Sequence, residues 1–213
     1  MNSSKRANGQ ALTEFVIIWP LLLLSLCLLL QVFLLWWAQQ TFVIANQYAV
    51  RAGAINHGAR APMVLTLSAV MAGLKPQLNQ DNKMAAAAES VLRQRAHFLL
   101  YGKLTRLNPD KQQLQRFGQR RWLHQQQRYV HEIAVDHYQA RQAQSQDPEW
   151  AKARRLSISS EWCFDLQIPL AAEFLGWIAR RQGDCLAGNL AQRPQWPLRS
   201  GAEHELLSGF RGG

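Results

Sequence analysis

The sequence predicts an α+β protein: an N-terminal transmembrane helix extended into the periplasm, a helical middle region and a small C-terminal antiparallel β element. Three observations predict it. Residues 15–38 hold 24 positions without one charge, beyond the roughly 18 apolar residues that mark a membrane-spanning helix. Phe42, Ala45, Ala49 and Ala52 then recur at helical spacing, with Gln40, Gln47 and Arg51 off that stripe. Toward the C-terminus, Leu156, Ile158, Trp162, Phe164, Leu166 and Ile168 alternate with polar neighbours, the period of a strand with one buried face. The chain has 213 residues, 24 Lys+Arg against 14 Asp+Glu, and a formal net charge of +10. That length suits one domain plus an anchor and excludes a large multidomain enzyme. The apolar run excludes a freely soluble cytosolic protein.

The first nine residues, MNSSKRANG, form a basic leader whose Lys5 and Arg6 stay cytoplasmic by the positive-inside rule. Everything from Ala38 onward then lies outside the cytoplasm. That part is itself basic, but large domains translocate largely regardless of charge. A removable secretory signal has an apolar core of about 7–15 residues and a small-residue cleavage site. Here the run is longer and leaves through LLWWAQQ, which offers no A-x-A site. Trp36 and Trp37 suit an interfacial aromatic belt. The expected span is therefore about residues 15–37, retained in the protein.

Glu14 stands at the start of this run. An ionised group at the centre of a span costs on the order of 3 kcal/mol, less near its edge, and marks a functional position by default. The plain alternative is an interfacial Glu at a helix N-terminus, favoured by the helix dipole. The order of features is a short basic head, Gly9, four residues, Glu14 and a long apolar helix. It resembles the processing site of the type IV pilin superfamily, in which a prepilin peptidase cuts after the Gly on the cytoplasmic side. The resemblance implies cleavage between Gly9 and Gln10. The new α-amino group on Gln10 would lie one helical turn from Glu14. In a bundle of such helices the amine of one subunit could meet the Glu of its neighbour, which makes subunit registration the implied role of Glu14.

Within that superfamily, GQALTEFVIIWP (residues 9–20) followed by LLLLSLCLLL is similar to the TadE-like pseudopilins of the tight-adherence (Flp) pilus system. That family pairs Glu-Phe after the cleavage point with a Pro several residues into the helix, here Pro20. Pro20 forfeits one backbone hydrogen bond and is expected to kink the helix, which a membrane bundle tolerates. Residues 45–54, ANQYAVRAGA, resemble the family's Ala/Arg/Gly-rich helix just after the span. The likeness covers about residues 9–55. A major pilin of this system is much shorter, so the length fits a minor pilin or pseudopilin.

One rod is expected over residues 10–54, ended by Gly53, Gly58 and Pro62. Its small-residue stripe suits either a filament or assembly surface or packing on the protein's own domain. Residues 55–150 read as a helical extracytoplasmic region. One helix covers 62–78 with a stop at Pro76, and a second uses Met84, Ala88, Val91, Leu92 and Leu99 as its apolar face. A third runs over about 110–143, with Trp122, Tyr129, Val130, Ile133 and Ala140 loosely periodic. Its basic residues, Lys111, Arg116, Arg120, Arg121, Arg128 and Arg141, with Trp122 and Tyr129 for stacking, raise nucleic acid as a partner. A solvated face is the commoner meaning of such a pattern, so nucleic acid is unlikely. Anionic envelope lipid or an acidic partner fits better beside a membrane.

Residues 151–213 are the strand-containing region. The strand from Leu156 ends at Pro169, residues 170–178 suit a short crossing helix, residues 180–185 read as a turn, and residues 197–207 suit a second strand pairing with the first. Cys27 falls inside the span and serves as a small apolar residue. Cys163 and Cys185 fall in the exported part, an oxidising compartment in a Gram-negative cell. Cys163 sits on the polar side of its strand, where a turn could fold Cys185 over it. A disulfide there would stabilise by about 3 kcal/mol, and two unrelated thiols are the alternative.

No catalytic constellation emerges. HEIAV, residues 131–135, starts like HExxH but has Val135 where a second zinc ligand belongs, and His137 falls on the wrong helical face for joint binding with His131. There is no nucleophile elbow, Walker loop or dinucleotide fingerprint. The expectation is thus a non-enzyme without metal or cofactor: a minor pseudopilin-like protein, single-pass in the inner (cytoplasmic) membrane with its C-terminal domain periplasmic. Its implied partners are prepilin peptidase, other minor pilins or pseudopilins, and the pilus assembly platform, at the base or tip of the filament. The runner-up is a single-span, membrane-anchored extracytoplasmic binding module unrelated to pili.

Overall fold

The computed structural model describes residues 7–74, 82–124, 126–145, 147–181, 185 and 193–212, with the side chains of residues 7–13, 142, 144 and 145 left aside. The fold is α+β. Helix α1 (Ala7–Ile55) is followed by α2 (Arg60–Ala72), α3 (Lys83–Tyr101), β1 (Lys103–Asn108), α4 (Lys111–Phe117), β2 (Gln119–Leu123) and β3 (Arg128–Glu132). Then come α5 (Tyr138–Ser145), α6 (Pro148–Ala153), β4 (Arg155–Asp165), α7 (Ala171–Arg181) and β5 (Gln195–Glu205). Two compact units share these elements. One joins Met1–Trp37 to Phe164–Pro197, and the other joins Ala38–Cys163 to Leu198–Gly213.

The larger unit is built on the second half of α1. Phe42, Ala45, Ala49, Val50 and Ala54 are buried, whereas Gln40, Gln47 and Arg51 are exposed. Of the two uses open to the small-residue stripe, packing on the protein's own domain is the one observed. Sheet order is β1-β4-β5, with β1 antiparallel to β4 from Lys103↔Glu161 to Asn108↔Ser157. The inward row of β4 is the alternating set read from the sequence: Leu156, Ile158, Trp162 and Phe164 are buried. Ser160, the polar exception in that row, is also buried and donates to the Asn46 side-chain carbonyl, while Asn46 Nδ2 donates to the Phe42 carbonyl at 2.8 Å. A buried hydroxyl left unpaired would cost about 1–3 kcal/mol; Asn46 removes that cost. Trp162 centres the aromatic packing, 5.5 Å from Phe98, 5.6 Å from His97 and 6.3 Å from Phe42.

The C-terminal tail closes the end of α1. The backbone N–H groups of Leu207 and Ser208 and the Ser208 hydroxyl all donate to the Ala54 carbonyl, at 3.2, 3.0 and 2.8 Å. Such carbonyls at a helix C-terminus have no intrahelical partner and must find one. Beyond them, Gly58 turns the chain at φ +77°, and the Phe210 ring lies where a Cβ would stand, 2.3 Å away.

Three expectations for the middle region need correction. The apolar face assigned to the helix at 83–101 is not the buried one. Met84, Leu92 and Leu99 are exposed, and Ala86 and Phe98 face the core, because Phe98 must reach Trp162. The single helix expected over 110–143 is instead α4, a β2–β3 hairpin and α5. Asp110 and Gln113 form a reciprocal capping box that starts α4, and Gly118 ends it after seven residues. Trp122 and Tyr129, seven apart as in a heptad, are directly opposed in the hairpin. The short strand β1 went unread. The first middle helix stops at Ala72, short of the expected 78, and Pro76 and Leu78 lie outside the described residues.

Gly58→Ala tests the tail closure. It adds a methyl group against Phe210 at a left-handed backbone position, and we expect a loss of about 1–3 kcal/mol. Thermal unfolding of the detergent-solubilised chain measures it; an unchanged midpoint would show that the tail does not secure α1.

Candidate functional site

The expected processing residues lie on the first turns of α1. Gly9, Gln10 and Glu14 belong to one continuous helix. Lys5 and Arg6 of the leader lie outside the described residues. Glu14 is exposed and is the only carboxylate in α1. Phe15 and Trp19, one turn apart, stack with ring centroids 5.5 Å apart. The helix runs unbroken through Pro20.

From Glu14 the helix is long and apolar enough to cross a membrane, and only 6% of its most apolar 18-residue window is buried in the protein. A buried core helix of this composition would be covered by its own domain; residues 14–26 of this one are exposed. Ser25 returns its hydroxyl to the Leu22 carbonyl at 2.8 Å, satisfying itself within the helix. Gln31, the one amide side chain in the apolar run, is fully buried. Its Oε1 accepts from the backbone N–H groups of Ile168 at 2.9 Å and Gln167 at 3.2 Å. Sequence reasoning passed over Gln31, although a lone amide among 24 uncharged residues was a visible signal.

Cys163 and Cys185 are disulfide-bonded, and Cys27 is a free thiol. The polar-side placement of Cys163 is corrected: it is buried together with Trp162 and Phe164, so the strand's alternation ends there. The His97 ring meets the Cys163 carbonyl at 2.7 Å, covering this end of β4.

Several basic side chains of this stretch are engaged within the chain. Arg116 pairs with Asp147 at 2.6 Å, and Arg121 and Arg141 both reach Asp136, at 3.6 and 3.4 Å. Arg120 lies over the Tyr129 ring at 4.4 Å, and Trp122 packs against that ring at 4.8 Å. Rings in contact with each other and capped by Arg offer little free face for base stacking. Burial lowers the pKa of Arg154, which lies over Tyr138 and Trp150 and donates to the Val135 carbonyl at 2.7 Å.

His131 is on a strand, so the i,i+4 helical geometry of HExxH does not arise. Its Nε2 meets the Leu114 carbonyl at 3.1 Å. Glu132 instead is buried and structural, bound by Arg211 Nε at 2.8 Å and Arg121 at 3.4 Å. Among the described residues no group of three His, Cys, Asp or Glu could hold a metal ion.

Comparison with known protein families, with curated proteins and with solved structures found no match.

Two measurements follow from this geometry. Glu132→Ala strips Arg211 of its buried partner, and we expect about 1–3 kcal/mol of destabilisation by thermal unfolding, partly recovered in Glu132→Gln. Reductant is expected to retard the chain on a non-reducing gel by opening the Cys163–Cys185 loop; unchanged mobility with three titratable thiols before reduction would remove the disulfide.

Proposed function

We propose that the chain is a minor pseudopilin-like protein that takes part in assembly of a tight-adherence (Flp-type) pilus or a related secretion system. In this reading α1 spans the inner membrane with its N-terminus cytoplasmic, the remainder is periplasmic, and prepilin peptidase cuts between Gly9 and Gln10. The observation that supports it most is the division of α1. Its first half is apolar on all sides and exposed from Glu14 to Leu26, while its second half is the central helix of a folded domain. A subunit that packs by its membrane helix against like helices needs that bare half. A lone carboxylate at its start suits registration against a neighbour's amine.

Gly is a poor helix former, about 1 kcal/mol worse than Ala, which lowers the cost of opening the turn that carries the Gly9–Gln10 bond.

The runner-up, a membrane-anchored binding module, draws support from the small-residue stripe being spent on the protein's own core. The two readings part at the N-terminus. Protein extracted from its native membrane is expected to begin at Gln10, and at Met1 when prepilin peptidase is deleted. A chain that always begins at Met1 sinks the pilin reading and leaves the anchored module. Glu14→Gln is expected to abolish pilus assembly while leaving the protein in the membrane; normal piliation in that variant counts against a registering role.

A further inference from the structure

The smaller unit contains a second exposed apolar element besides the first half of α1. Helix α7 packs inward through its small residues. Ala171, Ala172, Gly176 and Ala179 are buried, and Gly176 lies so close to Pro194 that an added Cβ would come within 2.7 Å of the proline Cβ. Its large apolar residues point the other way. Leu170 just before it and Phe174 and Trp177 within it are 55%, 54% and 47% exposed. Spaced four and three apart, they form one row along the helix. Arg180 and Arg181 close the helix, and the Arg181 guanidinium lies 4.4 Å from the centre of the Trp177 ring. An apolar row ending in Trp and Arg is the pattern of helices that lie in a membrane interface.

The level of α7 relative to α1 is fixed within the same unit. Gln31 Oε1 holds the N–H of Ile168, and the Ile168 carbonyl in turn accepts from Ala172 N in the first turn of α7 at 2.8 Å. The span read from the sequence runs from Phe15 to about Trp37. Gln31 is then six residues, or about 9 Å, short of that end. Interfacial helices bury their apolar face about 5–10 Å into the headgroup and acyl boundary. The two depths agree.

We propose that α7 lies in the outer interface of the membrane that α1 crosses, with Leu170, Phe174 and Trp177 at the acyl boundary and Arg180 and Arg181 at anionic headgroups. The proposal rests on the spanning part of the functional reading and is independent of pilus assembly. The protein would thus be held by a span and a surface helix together, which fixes its rotation about the span axis.

Site-directed spin labels on the full chain test this in vesicles of phosphatidylethanolamine and phosphatidylglycerol, in a Cys27→Ala background with the disulfide intact. Single cysteines replace Leu24, Phe174, Trp177 and, as a water-exposed control, Leu207. Labels at 174 and 177 are expected to be more accessible to oxygen than to a polar nickel complex, as at 24, with the reverse at 207. Water-like accessibility at 174 and 177 with lipid-like values at 24 overturns the α7 proposal alone. Water-like values at 24 as well overturn the span itself. Dipolar broadening at 174 that disappears on dilution with unlabelled protein assigns the face to a second copy and also overturns the proposal. In the Arg180→Gln/Arg181→Gln variant, the depth at 177 is expected to become shallower in phosphatidylglycerol-containing vesicles and to lose its dependence on that lipid.

Discussion

One helix in this protein carries two kinds of surface. Over its first half α1 offers large apolar side chains in every direction, and almost none of that surface is covered by the chain itself. Over its second half Phe42, Ala45, Ala49, Val50 and Ala54 form the spine of the core, while Gln40, Gln47 and Arg51 are exposed beside Ile44 and Tyr48. Both halves belong to one helix, Ala7–Ile55. The change is made in side chains alone. From Ala38 onward the inward positions shrink to Ala, Asn and Val with one Phe, and the outward ones admit Gln, Thr and Arg. Large residues that suit lipid would keep a sheet and two helices too far away; small ones let them close on the helix.

Polar groups near this helix are resolved one by one. Asn46 and Ser160 satisfy each other inside the core, so the strand can carry a hydroxyl on its buried row without an unpaired donor. The Ala54 carbonyl of α1 is taken by the C-terminal tail, which explains why residues 206–212, distant in sequence, belong to the same unit as the helix end. Glu132 fixes that tail from the other side through Arg211. A buried carboxylate with two Arg partners is costly to remove singly, and weak support for stability as such. Its clearer effect is to specify where the tail lies.

Much of the architecture was legible from residue pattern. The apolar run, the period of two in β4, the helix after it and the strand near 197–207 all rest on strong local signals, and the structure contains each of them. The middle region was less legible for identifiable reasons. Trp122 and Tyr129 have a separation that serves a heptad and a hairpin equally, and only the Gly118 stop favoured the hairpin. The inward face of α3 is set by Phe98 reaching Trp162, a contact that no local periodicity encodes. Glu132 was read inside a degenerate metal motif, whereas its partners Arg211 and Arg121 come from elsewhere in the chain. The expected processing residues Gly9, Gln10 and Glu14 rest on linear order along the chain, which a fold neither adds to nor removes.

Glu14 and Gln31 are the two polar side chains near opposite ends of the apolar run, and they are handled oppositely. Gln31 is buried and given two backbone donors from residues 167 and 168. An amide in that position could have been replaced by Leu at no cost to helix formation. What Leu could not do is hold the start of α7 against α1. Glu14 is exposed near the start of the same helix. Leu in place of Gln31 would take the acceptor away from the backbone N–H groups of Gln167 and Ile168, so Gln31 is what joins residues 167 and 168 to α1.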